Sequence, residues 1–181
     1  MSGSSLKGGK NEIIAWFKEN EPSITSILDI GAGSGTYIKL LKYREKICSN
    51  ANWVAVEAWK DYVEKYQLTD KYNSVLNQDA RLINWTNMEE FSVAIAGDVL
   101  EHMTKEEAIL LVNHLLDHCK TVIISIPIIH MPQGELDHNP FEVHVKDDWS
   151  HEEVVNTWAK YIIRSHRKGA KSKIGVYWLR K

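Results

Sequence analysis

The chain has few cysteines, no long apolar run and almost no net charge, and each shortage closes off a class of protein. Two cysteines, Cys48 and Cys119, cannot build a disulfide framework or a cysteine-rich zinc module. The longest apolar run, Val122 to Ile129, is interrupted by Ser125 and Pro127. It falls well short of the ~20 residues that span a bilayer, so no membrane partner is expected. The amino terminus, MSGSSLKGGK, has no apolar core and reads as a flexible lead over residues 1–9, not as a secretory signal. The expected location is therefore the cytoplasm (the host's, if the source is viral). With 22 Lys+Arg against 24 Asp+Glu the net charge is −2, which excludes a generally basic nucleic-acid coat.

What remains is ordinary globular usage. Hydrophobic residues make up 44% and charged residues 25%, which excludes wholesale disorder, and 181 residues suit a single domain over 10–181. Short apolar runs alternate with amphipathic stretches. Strands are expected at Ser26–Ile30, Trp53–Glu57, Ser74–Gln78, Phe91–Ala96 and Thr121–Ile126, and helices at Tyr37–Lys42, Lys60–Tyr66 and Lys105–His118. Thr104 with Glu107, and Ser150 with Glu153, have capping-box spacing. Continuous rather than alternating apolar strands indicate a parallel sheet covered on both faces. Tyr161–His166 and Ile174–Leu179 flank the turn-rich RKGAKSK and predict an antiparallel hairpin. An amphipathic lead helix over Asn11–Lys18 either lids a ligand or packs on the sheet. The expected fold is a Rossmann-like three-layer α/β/α sandwich, with a seven-stranded, mostly parallel sheet and an antiparallel C-terminal hairpin.

Between the first strand and its helix lies Gly31-Ala32-Gly33-Ser34-Gly35-Thr36. Glycines there permit positive φ and let the backbone approach a ligand without an intervening Cβ. Thr36 stands where the dinucleotide fingerprint needs a third glycine, and no Lys-Ser/Thr pair follows, so neither a nicotinamide fingerprint nor a nucleoside-triphosphate loop is present. Glu57 ends the second strand, where a carboxylate can accept from ribose hydroxyls.

LDIGAGSGT, Glu57 in VAVEAW, Asp79-Ala80 after the third strand and GDVLEHM after the fourth together resemble the class I S-adenosylmethionine (SAM)-dependent methyltransferases. The resemblance runs from about Ser23 to Leu179. It is nearest to small single-domain bacterial and phage members that share the EAW, GDVLEH and QGE…NPFE-H elements. It implies SAM as cofactor and S-adenosylhomocysteine (SAH) as product. It further implies that Gly31, Ala32, Gly33 and Gly35 face the methionine part, and that Asp29 bonds loop amides or the amino group. Glu57 would hold the ribose diol, Ala58 and Trp59 line the adenine pocket, Asp79 and Ala80 meet the adenine edge, and Gly97 and Asp98 close the site. A cofactor-binding module without turnover, a partner-dependent subunit and a nucleotide-cofactor oxidoreductase are the competing readings.

The segment Ile128–Asp148 follows the fifth strand and so leaves the sheet on the cofactor side. Polar loops of this length in compact domains are usually functional. It concentrates His130, His138 and His144 with Glu135 and Glu142, and imidazoles suit proton abstraction near neutrality. His144 or His130 is expected to act as general base, with His102 of GDVLEHM as the other candidate. A divalent metal site built from these His and carboxylate ligands is the second reading of the loop, but no fixed ligand spacing supports it, so no metal is expected. The acceptor is expected to be a small molecule methylated at oxygen or nitrogen. A nucleic-acid acceptor is disfavoured because no N/D/S-P-P-Y/F element follows the fourth strand and neither cysteine follows a proline. The basic residues Arg164, Arg167, Lys168, Lys171 and Lys173 read as a solvated turn. Trp149 is the aromatic expected to stack on the acceptor, and the chain is expected to be a monomer or homodimer.

Overall fold

The computed structural model describes residues 8–169 and 172–181. Most of the expected lead and part of the hairpin turn, Lys171 included, lie outside the described residues. The elements are α1 (Lys10–Asn20), β1 (Ser26–Ile30), α2 (Thr36–Ile38), β2 (Asn52–Val56), α3 (Lys60–Lys65) and β3 (Ser74–Leu76). They continue with β4 (Phe91–Gly97), α4 (Lys105–His118), β5 (Cys119–Pro127), α5 (His151–Trp158), β6 (Ile162–Arg167) and β7 (Ile174–Leu179).

The seven strands form one sheet in the order β3-β2-β1-β4-β5-β7-β6. β1 to β5 pair in parallel, while β7 runs antiparallel to both β5 and β6. Parallel strands buried on both faces read as near-continuous apolar runs, and β4 is buried along its full length with Ser92 its one polar side chain. Alternate side chains part to the two faces. Leu28, Val54, Ala94, Val122 and Ile124 meet α4 and α5, whereas Ile27, Trp53, Val93, Ile95 and Ile123 meet α1 and α2. The lead helix thus belongs to the core: Ile13 and Phe17 are fully buried beside Val176 and Trp178. Trp149 is also core, stacked on Trp158 at 5.6 Å, which removes it as an acceptor platform. Arg164 of the basic hairpin lies over the Trp178 ring and 3.3 Å from Glu19, so that part of the turn is packed rather than merely solvated.

The helix after the glycine loop departs from the expected α geometry. After one turn, α2 widens into a π-helical stretch over Lys39–Arg44, a form that is rare and usually a single turn. The capping box on α4 is complete: the Glu107 amide donates to Thr104 Oγ1 at 3.2 Å, and the Thr104 amide donates to Glu107 Oε2 at 2.8 Å. Thr104→Ala is expected to cost about 1 kcal/mol. Thermal melting checks this, with an expected drop of roughly 2–4 °C. Among the described residues no helix is long and apolar enough to cross a membrane.

Candidate functional site

A cavity of about 270 Å³ opens at the carboxyl ends of the parallel strands. This is where a doubly wound sheet binds ligands, because the strand order reverses direction between β1 and β4 and leaves a crevice. The turn after β1 forms one wall. Gly31 has φ +62°, and a Cβ there would lie 2.6 Å from Val99 Cγ2, so a side chain is excluded both by conformation and by space. Gly33 follows at φ +50°.

Glu57 leaves the end of β2, 5% exposed, and clamps this turn. Its Oε2 accepts from the Gly33 amide at 2.8 Å and its Oε1 from the Trp59 amide at 2.9 Å. Burial raises its pKa, opposed by these two amide bonds. A carboxylate has about four lone-pair sites, so the backbone donors at Gly33, Trp59 and Ala58 leave at least one for a ligand. Asp79 after β3 is taken differently. Its Oδ2 lies 2.6 Å from the Arg81 guanidinium, which also reaches Glu107 at 3.1 Å. Burial alone would raise the Asp79 pKa, but Arg81 outweighs it and the net shift is downward.

Below β4, Gly97 is filled by the buried Tyr37 ring, which a Cβ would approach to 2.2 Å, and Lys10 of α1 lies over that same ring. Asp98 follows at φ +56°, its amide donating to the Ser125 carbonyl at 2.7 Å. A 3-10 turn, Leu100–His102, then carries Glu101 and His102 into the cavity. The 128–148 loop closes the opposite side. Gln133 donates to the Glu142 carbonyl at 2.7 Å, and Asn139 caps its own turn by accepting from the Phe141 amide at 2.9 Å. Asp137 is tied to Lys65 of α3 at 2.7 Å, so the loop reaches across to the cofactor-side helix. His144 is brought to His102 with ring centroids 4.8 Å apart at 74°. Burial, then the neighbouring His144, pushes the His102 pKa down to about 4, while burial and then Asp98 hold Glu101 well above the usual carboxylate range.

Gly31, Ala32, Gly33, Glu57, Ala58, Asp79, Ala80, Gly97, Asp98, His102 and His144 therefore line one cavity. Four expected site residues do not. Gly35 serves the turn at the start of α2, and Trp59 lies outside with its ring 6.3 Å from Phe141. Asp29 is buried behind the glycine loop, where it accepts from Tyr72 Oη at 2.5 Å instead of from loop amides. His130 is largely exposed, lies 3.6 Å from Asp147 and does not line the cavity. Glu101, Tyr37, Arg81 and Phe141 were not anticipated. Glu101 had a signal, since it sits inside GDVLEHM beside His102. Neither cysteine takes part: both are buried, with thiols pushed up to about 12.

Neither a family model nor a curated protein matches the sequence. Solved structures do match the fold. The N-terminal domain of EvdMO1, solved in the presence of SAH and D-fucose, superposes with a TM-score of 0.70 at 14% identity, over 98% of this chain and 84% of that one. A SAM-dependent methyltransferase from Clostridium acetobutylicum gives 0.68 at 12%, over 98% and 92%. The magnesium protoporphyrin IX methyltransferase of Synechocystis, solved with bound SAM, gives 0.64 at 16%, over 94% and 77%. The chain has the fold of the class I SAM-dependent methyltransferases.

Proposed function

We propose that this protein transfers the methyl group of SAM to an oxygen or nitrogen atom of a small polar acceptor and releases SAH. One observation carries the reading. The Glu57 carboxylate holds the Gly33 amide from beneath and still faces the cavity, so ribose hydroxyls can donate to lone pairs already aimed at them. Glu57 and Asp98 line the crevice, and negative charge there suits a sulfonium cation, whereas Asp79 is balanced by Arg81.

The chemistry needs alignment above all. A lone pair of the acceptor attacks the methyl carbon, the carbon–sulfur bond breaks, its electrons return to sulfur as a neutral thioether, and the acceptor's proton passes to His144 or to solvent. The acceptor sits between the Leu100–His102 turn and the 128–148 loop, next to His102, His144 and Glu101. A cavity of about 270 Å³ suits a small acceptor or a single group that protrudes into it.

Calorimetric titration with SAM, SAH and NADH tests the reading. Binding of both sulfur ligands with no response to NADH is expected. Tight NADH binding with no response to either sulfur ligand would overturn it in favour of an oxidoreductase.

A further inference from the structure

Two segments deliver lone-pair donors to the acceptor side of the cavity. Glu101 and His102 come from the turn after β4, and His144 comes from the end of the 128–148 loop. One ligating atom of each lies within 4.8 Å of the other two. The Glu101 side chain is 1% exposed, and its Oε2 has no hydrogen-bond partner among the described residues. A buried carboxylate oxygen without a partner is costly and calls for an explanation, an ion included.

Both imidazoles are already committed on one side. His102 Nδ1 lies 3.2 Å from the Val143 carbonyl, and His144 Nδ1 lies 2.5 Å from the Met131 carbonyl. A carbonyl oxygen only accepts, so each ring carries its proton on Nδ1 and keeps its lone pair on Nε2. This is how ring orientation and tautomer are fixed in metal-bound histidines. The backbone also locks the two segments together. The Glu101 carbonyl accepts from the Val145 amide at 2.8 Å and from the Lys146 amide at 3.0 Å, immediately after His144.

From this geometry we propose that Glu101, His102 and His144 form a binding site for a first-row divalent cation such as Mn²⁺, Fe²⁺, Co²⁺ or Zn²⁺. Two imidazoles with one carboxylate favour these ions over Mg²⁺ or Ca²⁺, which prefer all-oxygen shells. Three protein ligands leave open positions, and a hydroxyl bound there loses its proton more readily. The site stands on the cluster alone. Its service to the acceptor rests on the methyl-transfer reading, where it would favour an oxygen nucleophile. The sequence hid the arrangement because two ligands are adjacent and the third comes from a distant loop, a spacing that matches no fixed ligand pattern.

The test uses tag-free full-length protein stripped by chelation. It is titrated with Co²⁺, read by visible absorption, and with Mn²⁺, read by electron paramagnetic resonance. One equivalent is expected to bind, and Glu101→Gln and His144→Ala are each expected to weaken it at least tenfold, with circular dichroism reporting that both variants remain folded. Glu101→Gln keeps the volume of the buried side chain and so guards against a merely structural loss. His118→Ala serves as a control, since His114 and His118 share one face of α4 but lie against Trp85. His130→Ala is a second control. Absence of stoichiometric binding would overturn the site, as would binding lost in His118→Ala or His130→Ala but kept in His144→Ala. SAH calorimetry on the same samples separates the two claims: cation binding without SAH binding supports the site and removes the methyl-transfer reading, and the converse removes the site alone.

Discussion

Glu57→Ala is expected to weaken SAH binding at least a hundredfold and to lower the melting temperature. The two effects share one origin. A hydrogen bond to a charged group contributes about 1.5–3 kcal/mol, and a ribose diol offers two such donors. Losing only one or two of them reaches the roughly 2.7 kcal/mol that corresponds to a hundredfold in affinity. The same substitution leaves the Gly33 and Trp59 amides without their acceptor. Each amide that stays buried and unpaired costs about 1–3 kcal/mol, and roughly 2–4 °C is lost per kcal/mol in a chain of this size. Glu57→Gln does not rescue the site. An amide side chain presents one oxygen and one NH₂, so either Gly33 or Trp59 would meet a donor with a donor. Calorimetry with SAH and melting followed by circular dichroism measure both effects. Unchanged affinity in the alanine variant would remove Glu57 from the ligand site, whatever the melting temperature did.

The contrast between Glu57 and the residues that moved out of the site says where the sequence was informative. β1 and α4 have the expected boundaries because their signals are local: an apolar run ending in glycine, and a threonine three residues before a glutamate. Glu57 sits at a strand end, and the parallel pairing of β1 with β2 brings every such end to one edge of the sheet. Asp29 has equally strong motif context, yet its partner is Tyr72, 43 residues away on a segment with no motif. Trp59 and Trp149 are both large aromatics near the site in sequence, and only packing separates the half-buried ring beside Phe141 from the ring sealed against Trp158. His130 and His144 lie on one loop with similar neighbours. What distinguishes them is where that loop turns back, set by backbone bonds from His144 to Gln133 and from Val145 to Glu101. Loop path is the part of a fold least recorded in local sequence, since its hydrogen bonds join residues that no periodicity relates.

Asp29→Asn is expected to change the pH dependence of stability, with the variant gaining on the parent protein as pH rises. Asp29 is fully buried, and burial raises its pKa from 3.8 to about 7, against the hydrogen bond from Tyr72, which lowers it, and with the charge of Glu57, which raises it further. Between these two values the folded chain holds a proton that the unfolded chain has released. Stability then falls as pH increases, because the folded state binds more protons than the unfolded one. The contribution is fully present below about pH 4 and is lost as pH climbs to about 7. A shift of about three units corresponds to roughly 4 kcal/mol, an upper figure for so deeply buried a group. Asparagine cannot ionise, and its side-chain oxygen still accepts from Tyr72, so the variant should show little difference at about pH 4 and a gain of several kcal/mol at about pH 8.5. Urea unfolding at the two pH values measures this. An equal stability difference at both would mean that Asp29 ionises in the folded protein as readily as in the unfolded one. Below about pH 7 a protonated Asp29 behind the glycine turn adds no charge to that wall of the cavity, and at about pH 6 the Asp29→Asn variant should bind SAH as the parent does.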